Sequence, residues 1–296
     1  MMNLLTTNQS SIKQIKNNQA NFPKLLNNIY HPISQLWYRG NLALANQNNL
    51  LAVVGSRQSS WYGQLIINRL LDHHITSQLV IVSGLAVGID SLAHQASLNS
   101  NNPTIAVLGS GLDPNSIYPP SNWQLAEKIV NSGGLLLSEY PPGQSARNYH
   151  FPQRNRIIAG LSAAVLVIEA AAKSGALITA ELALQEGRTV LAVPGNINQT
   201  LSAGTNKLIQ LGAQAILDST DLAIALDLPQ PTSYSKTNLP ITACHLALLK
   251  LLTKPLSLDE LLQITHQSVS QISQQLTDLE LGGHIKQQAD QTYVAC

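Results

Sequence analysis

The chain is poor in charge and in aromatic rings. Asp, Glu, Lys and Arg together make up 11% of its 296 residues, and Phe, Trp and Tyr only 4%. The formal net charge of +1 excludes the global basic field of a protein that holds nucleic acid by bulk electrostatics. Its two cysteines, Cys244 and Cys296, form no spaced pair. A disulfide framework and a thiolate zinc site are therefore excluded, in keeping with a reducing, cytoplasmic compartment. The eight histidines are scattered, and none pairs with Cys or a carboxylate at metal-ligand spacing, so no metal is expected. The longest apolar stretch, residues 157–172, is interrupted by Gly160 and Ser162 and carries Glu169. It is too short and too polar to span a membrane. The first residues are rich in Asn, Gln and Ser and lack an apolar signal core, so residues 1–21 read as a polar, disordered segment.

What is present is unevenly placed. Residues 1–140 hold seven Lys/Arg and five Asp/Glu, residues 141–210 six and three, and residues 211–296 four and eight. Positive charge thus collects in the middle of the chain. Its densest part is Arg147-Asn148-Tyr149-His150-Phe151-Pro152-Gln153-Arg154-Asn155-Arg156, with three arginines and two aromatics in ten residues. Guanidinium forks fit phosphate oxygens, and flat rings receive unpaired bases. The pairing suggests single-stranded nucleic acid or a nucleotide. An arginine-rich loop that caps a helix and pairs with nearby carboxylates is the competing reading.

Short apolar runs at Leu51–Val54, Leu79–Ser83, Thr104–Leu108, Leu135–Ser138, Ala164–Ile168 and Thr189–Val193 are continuous, as in strands buried on both faces. Amphipathic segments lie between them at Gly63–Ile75, Ile89–Leu98, Asn122–Asn131 and Ala176–Glu186. This order predicts an α/β fold with a doubly wound, mostly parallel sheet, and a ligand site outside the carboxyl ends of the strands. Residues 227–240, with Pro229, Pro231 and Pro240, read as a linker. Beyond it, residues 241–296 predict three helices (His245–Leu252, Leu258–Ile264, Val269–Leu281) and a small hairpin, the pattern of a winged helix.

The glycine turns lack the usual nucleotide fingerprints. There is no G-x-G-x-x-G, no G-x-x-x-x-G-K-[ST] and no G-x-S-x-G elbow, so dinucleotide cofactors, P-loop hydrolysis and serine hydrolysis are discounted. No cofactor and no catalytic residue is expected. Gly55 and Ser56 before a helix still aim backbone N–H groups at an anion, and Arg57 adds a cation. Gly84 opens the turn of Ser83 to His94, in which Asp90 and His94 share a helix face; a capping carboxylate and a buried histidine explain that pair better than acid–base chemistry. Lys173 and Ser174 precede another helix, and Gly204-Thr205-Asn206-Lys207 ends the series. Together these turns predict a glycine-lined, Arg/Lys-rimmed sheet edge suited to phosphates.

The same motifs carry a family resemblance. The runs Phe22-Pro23, Trp37-Tyr38-Arg39-Gly40-Asn41, Val53-Val54-Gly55-Ser56-Arg57, Ser83 to His94, Thr104 to Asp113, Phe151 to Gly160 and Gly204 to Ile209 closely resemble the DNA-processing protein A (DprA/Smf) family. The resemblance covers about residues 22–218. It implies an extended Rossmann-like domain (residues 22–226) that binds single-stranded DNA without being an enzyme, forms a homodimer, and loads the RecA recombinase onto incoming DNA in natural transformation. It carries DNA contact onto Arg57, Arg154 and Arg156, and more weakly onto Lys173. Gly55, Ser56, Gly84, Arg147, Phe151, Ser174 and Lys207 are placed beside them, and Asn155 either touches DNA or positions the arginines. Many members have a helical domain ahead of the core, where this chain has about 20 polar residues. The winged helix is short of cations: Ser268 to Leu279 has none, and residues 241–296 set three lysines against five carboxylates. A protein-contacting role follows, with little affinity for duplex DNA. The dimer surface is expected near Leu208–Leu217.

Two alternatives use the same features. A phosphoribohydrolase-like enzyme would need P-G-G-x-G-T followed by a catalytic glutamate. Here Pro194-Gly195 and Gly204-Thr205 are well separated, and Asn206-Lys207 stands where the acid would be. A nucleotide-sensing module would bind a mononucleotide tightly, with little dependence on oligonucleotide length.

Overall fold

The computed structural model describes residues 11–229, 243–265, 267–281, 284–288 and 292–295. The chain divides into two units, residues 1–228 and 229–296. The expected linker falls almost wholly outside the described residues.

The first unit is built on nine strands: β1 (Lys13–Lys16), β2 (Gln35–Gly40), β3 (Leu50–Val54), β4 (Val80–Ser83), β5 (Thr104–Leu108), β6 (Leu135–Ser138), β7 (Ala164–Val167), β8 (Thr189–Ala192) and β9 (Gln214–Ala215). They form one sheet in the order β1-β2-β6-β5-β4-β3-β7-β8-β9. All neighbours are parallel except β1 with β2 and β2 with β6. The apolar runs are continuous because both faces are covered. Leu50, Ala52 and Val54 of β3 enter one core while Leu51 and Val53 enter the other. Buried residues of α5 (His150–Leu161) and α6 (Gly175–Gln185) share the first core. The second holds α1 (Trp61–Leu70), α2 (His73–Gln78), α3 (Ile89–Asn99) and α8 (Ser219–Ala225). A third cluster lies under α4 (Trp123–Asn131), and α7 (Ala203–Gln210) precedes β9.

Three elements depart from the sequence reading. The polar N-terminal segment holds edge strand β1, whose Lys13–Lys16 pairs with Gln35–Tyr38 and buries Ile15. One alternating apolar residue in a polar tetrapeptide was too weak a signal to read as a strand. The segment 63–75 is two helices, since Asp72 accepts from the Ile75 amide and caps a new one. The arginine-rich run is the start of a helix, α5, and not a loop. Pro152 stands in its first turn, where no intrahelical N–H bond is lost.

The second unit contains α9 (Ala243–Leu251), α10 (Leu258–Thr265) and α11 (Val269–Leu281), then the antiparallel pair β10 (Ile285–Gln287) and β11 (Tyr293–Ala295). Leu248, Leu252, Leu261, Ile272, Leu276, Leu279 and Ile285 form its core. This is a winged helix.

Candidate nucleic-acid interface

Strand order reverses at β3. From there the sheet runs one way through β4, β5 and β6, and the other way through β7, β8 and β9. The loops after β3 and β7 therefore diverge, leaving a crevice at the carboxyl ends of the strands. A groove of about 610 Å³ opens there. It is lined by the 54–58 turn, by Asn148, Phe151, Pro152, Arg154, Asn155 and Ile158 from α5 and its approach, and by Ala171 and residues 174–176, 178 and 179 around the start of α6.

The β3 turn is held in shape by its own bonds. Ser56 Oγ accepts from the Gln58 amide (3.1 Å) and lies 3.0 Å from the Gln58 carbonyl. The Ile89 amide donates to the Ser56 carbonyl at 3.1 Å, tying the turn to the start of α3. Gly88 makes that approach possible. Its φ is +81°, and a Cβ there would strike the Ser56 carbonyl oxygen. Arg57 projects from this turn into solvent, with its guanidinium carbon 4.9 Å from the centroid of the Phe151 ring. Tyr118, half exposed, also lies against this ring, at 5.6 Å between centroids and tilted by 43°.

Arg154 faces inward. It is 4% exposed, and Nη1 donates to the carbonyls of Gly84 (2.6 Å) and Val107. Nε donates to Asn155 Oδ1 at 3.2 Å, and Asn155 Nδ2 donates to the Gly175 carbonyl at 3.3 Å. Gly84 is required here because a Cβ would lie 2.5 Å from Arg154 Nη1. Asp90, also buried, accepts from the amides of Gly84 (3.1 Å) and Ala86 (3.4 Å). Burial raises the Asp90 carboxyl above its ordinary range, opposed by the charge of Arg154. Burial pulls the Arg154 guanidinium down to about 10, opposed by Asp90, so it stays charged at neutral pH. Arg154 is thus turned inward, and Arg57 supplies the groove's outward positive charge.

Beneath them His94 is fully buried. Thr104 Oγ1 donates to the Ile81 carbonyl (2.7 Å), so His94 Nδ1–H must donate to Thr104 Oγ1 (2.9 Å). Nε2 has no partner among the described residues. Burial, reinforced by Arg154, lowers the imidazole to about 3, and the ring is neutral.

The residues singled out in the sequence thus separate. Gly55, Ser56, Arg57, Phe151, Arg154, Asn155 and Ser174 line the groove, and Gly84 lies under it on Arg154. Ser174 caps α6 and accepts from the Ala176 amide at 3.3 Å. Arg156 lies outside the groove; its Nη2 is 2.6 Å from both oxygens of Glu139 and its Nη1 donates to the His31 carbonyl at 2.6 Å. Arg147 is exposed and donates to Tyr149 Oη at 3.0 Å. Lys173 is exposed and does not line the groove. Lys207, on α7, donates to Gln210 Oε1 at 2.9 Å and is likewise absent from the lining. Arg154 is committed inward and Arg156 is paired with Glu139, so the two arginines of the R-N-R run meet different surroundings. On a helix, positions 154 and 156 point in different directions. Tyr118 was missed as a groove neighbour because it lies 33 residues before Phe151, with no local motif joining the two. Glu169 is a further buried carboxylate, but it is bound to the Ser60 amide (3.0 Å) and hydroxyl (2.5 Å) and anchors the start of α1.

Relatives share this architecture. Residues 13–227 match the family model for DNA recombination-mediator protein A, and residues 233–291 match that of the DprA winged helix domain. DNA processing protein DprA of Bacillus subtilis is 40% identical over 72% of this chain and 71% of its own. The Streptococcus pneumoniae protein of the same name is 46% identical over 68% and 70% respectively. Protein Smf of Escherichia coli is 39% identical over 89% of this chain and 72% of its own. The crystal structure of the Streptococcus pneumoniae DprA superposes with a TM-score of 0.68 at 41% identity, covering 75% of this chain and 76% of that one. A Helicobacter pylori DprA, described for its unique mode of binding single-stranded DNA, superposes at 0.65 with 28% identity over 73% and 96%. With a doubly wound sheet, a winged helix and these matches across both, the chain belongs to the DNA recombination-mediator protein A (DprA/Smf) family, whose members act in DNA processing and recombination.

Proposed function

We propose that this protein binds single-stranded DNA in the groove at the β3–β7 crevice and delivers it to the RecA recombinase, as in the processing of incoming DNA during natural transformation. The observation that carries the reading is the pair of Arg57 and Phe151 at the groove mouth, a permanent cation beside a flat ring on rigid backbone. Phosphate meets the guanidinium and the Gly55-Ser56 turn, and a base meets the ring. The groove binds rather than cleaves. Asp90, the carboxylate in its lining, is 7% exposed, and this burial withholds it from an attacking water. The ligand-binding face needs no net charge on the molecule, because one fixed cation and oriented amides act locally.

The protein acts as a homodimer in the cytoplasm. Leu211, Leu217 and Ile224 are 71%, 64% and 62% exposed near the sheet edge at β9, and a second copy would cover them. The winged helix contacts protein instead of duplex DNA, since α11 carries no cation. The test is competition between a single strand and its own duplex for the protein. Preference for the single strand, followed by faster RecA filament assembly on strand coated with single-strand-binding protein, is the expected result. Equal affinity for the duplex contradicts the reading.

A further inference from the structure

A second cavity, of about 750 Å³, adjoins the groove. Pro152 and Ile178 line both, so the two spaces are neighbours across these two apolar side chains. The far side is built differently. Its charged groups, Glu139 and Arg156, are paired with each other, and their side chains are only 20% and 16% exposed. The Arg156 guanidinium is further committed to the His31 carbonyl. A neutralised pair holds no attraction for a phosphate. It leaves the carboxylate with acceptor capacity to spare, since two oxygens offer about four lone-pair sites. Beside it stands a flat surface: the Tyr140 ring, itself stacked on buried His150 at 3.9 Å between centroids and 18° between planes. Tyr140 Oη donates to Gln153 Oε1 at 3.0 Å, and no described residue accepts from the Gln153 side-chain NH₂. A ring wall, a free acceptor and a free donor, with no net charge, match a nucleobase edge.

We propose that this second cavity holds a base of the same single strand that occupies the groove, and that Glu139 reads it by accepting a hydrogen bond from an exocyclic amino group. The inference rests on the single-strand reading of the groove, and adjacency across Pro152 and Ile178 makes that strand the occupant. Adenine, cytosine and guanine carry such an amino group; thymine has a carbonyl oxygen in its place and only the ring N3–H as a donor. The site therefore disfavours thymine. Arg156 is a positioning residue here: it holds the carboxylate and does not itself touch the strand.

The test is fluorescence anisotropy with oligo-dT in which a single dC is moved along the strand. The expected result is one short window of positions where dC tightens binding by roughly tenfold, the size of one charge-assisted hydrogen bond. In Glu139→Gln the amide oxygen stays on Arg156 and its NH₂ faces the base, so the preference flattens or turns toward thymine. Gln153→Trp, on the exposed face of α5, fills the cavity and abolishes the window while oligo-dT still binds; this variant keeps the test open if Glu139→Gln fails to fold. Binding of oligo-dT with no effect of dC at any position overturns the base subsite and leaves the groove standing. A window that survives both substitutions places base reading elsewhere. Failure of every oligonucleotide to bind removes the groove reading and this inference with it.

Discussion

The guanidinium of Arg57 lies 4.9 Å from the centroid of the Phe151 ring, joining the turn after β3 to the first turn of α5. The two side chains therefore act as one unit. A cation over a ring is worth about 0.5–1 kcal/mol at an exposed site, and each member also holds the other where DNA would meet it. Arg57→Ala and Phe151→Ala should each weaken single-strand binding by about tenfold or more. The double variant should lose less than the product of the two. Anisotropy titration of all four proteins closes the cycle, and strict additivity would show that the ring and the cation work separately.

Arg154 has a structural task. It spans the ends of β4 and β5 by donating to the carbonyls of Gly84 and Val107. Arg154→Ala leaves the buried carbonyls of Gly84 and Val107 without their donor, at a cost of about 1–3 kcal/mol each. Lysine does not rescue it, because one ammonium cannot replace a fork that reaches two carbonyls and Asn155. Urea unfolding should register this loss, whereas Arg57→Ala, which gives up only the exposed contact with Phe151, should cost no more than about 1 kcal/mol. An Arg154→Ala protein of unchanged stability that has lost only its affinity would return this residue to the DNA contact implied by the family resemblance.

His94 makes stability depend on pH with a definite sign. Its native pKa of about 3 lies below the ordinary value of 6.5. Its contribution is whole above pH 6.5. It is lost as pH falls toward 3, because the unfolded chain takes up a proton that the native core refuses. The slope approaches about 1.4 kcal/mol per pH unit from this group alone. Urea midpoints measured between pH 7 and pH 5 should fall more steeply for the wild type than for His94→Gln. Parallel curves would mean that the native ring accepts its proton without penalty.

Much of this was legible in the chain. The six apolar runs became strands β3 to β8 because a sheet covered on both faces needs apolar residues at successive positions. The Gly55-Ser56-Arg57 turn and Phe151 were readable as ligand groups from residue type alone. The orientation of α5 was not. Its first six residues, His-Phe-Pro-Gln-Arg-Asn, carry little apolar signal, and Pro152 argues for a break. The core-facing Ile157, Ile158 and Leu161 lie in the later part of the helix, so the helical phase that buries Arg154 and turns Arg156 toward Glu139 emerges only with the fold. Glu139 and Arg156 are 17 residues apart, and only the β6–α5 connection brings them together. Edge strand β1 gained its place from pairing with β2, a tertiary effect that its own four residues do not encode.

The proposed grip of the β3 crevice on a single strand, through Arg57 and Phe151, is open to direct measurement. The measurement that tests it most directly is anisotropy with labelled oligo-dT of increasing length, at two salt concentrations, for the wild type and for Arg57→Ala. Affinity should grow with length and fall with salt, and the variant should bind more weakly with a salt slope shallower by about one ion. Binding that is indifferent to length, or a variant that matches the wild type at both salt concentrations, would contradict it.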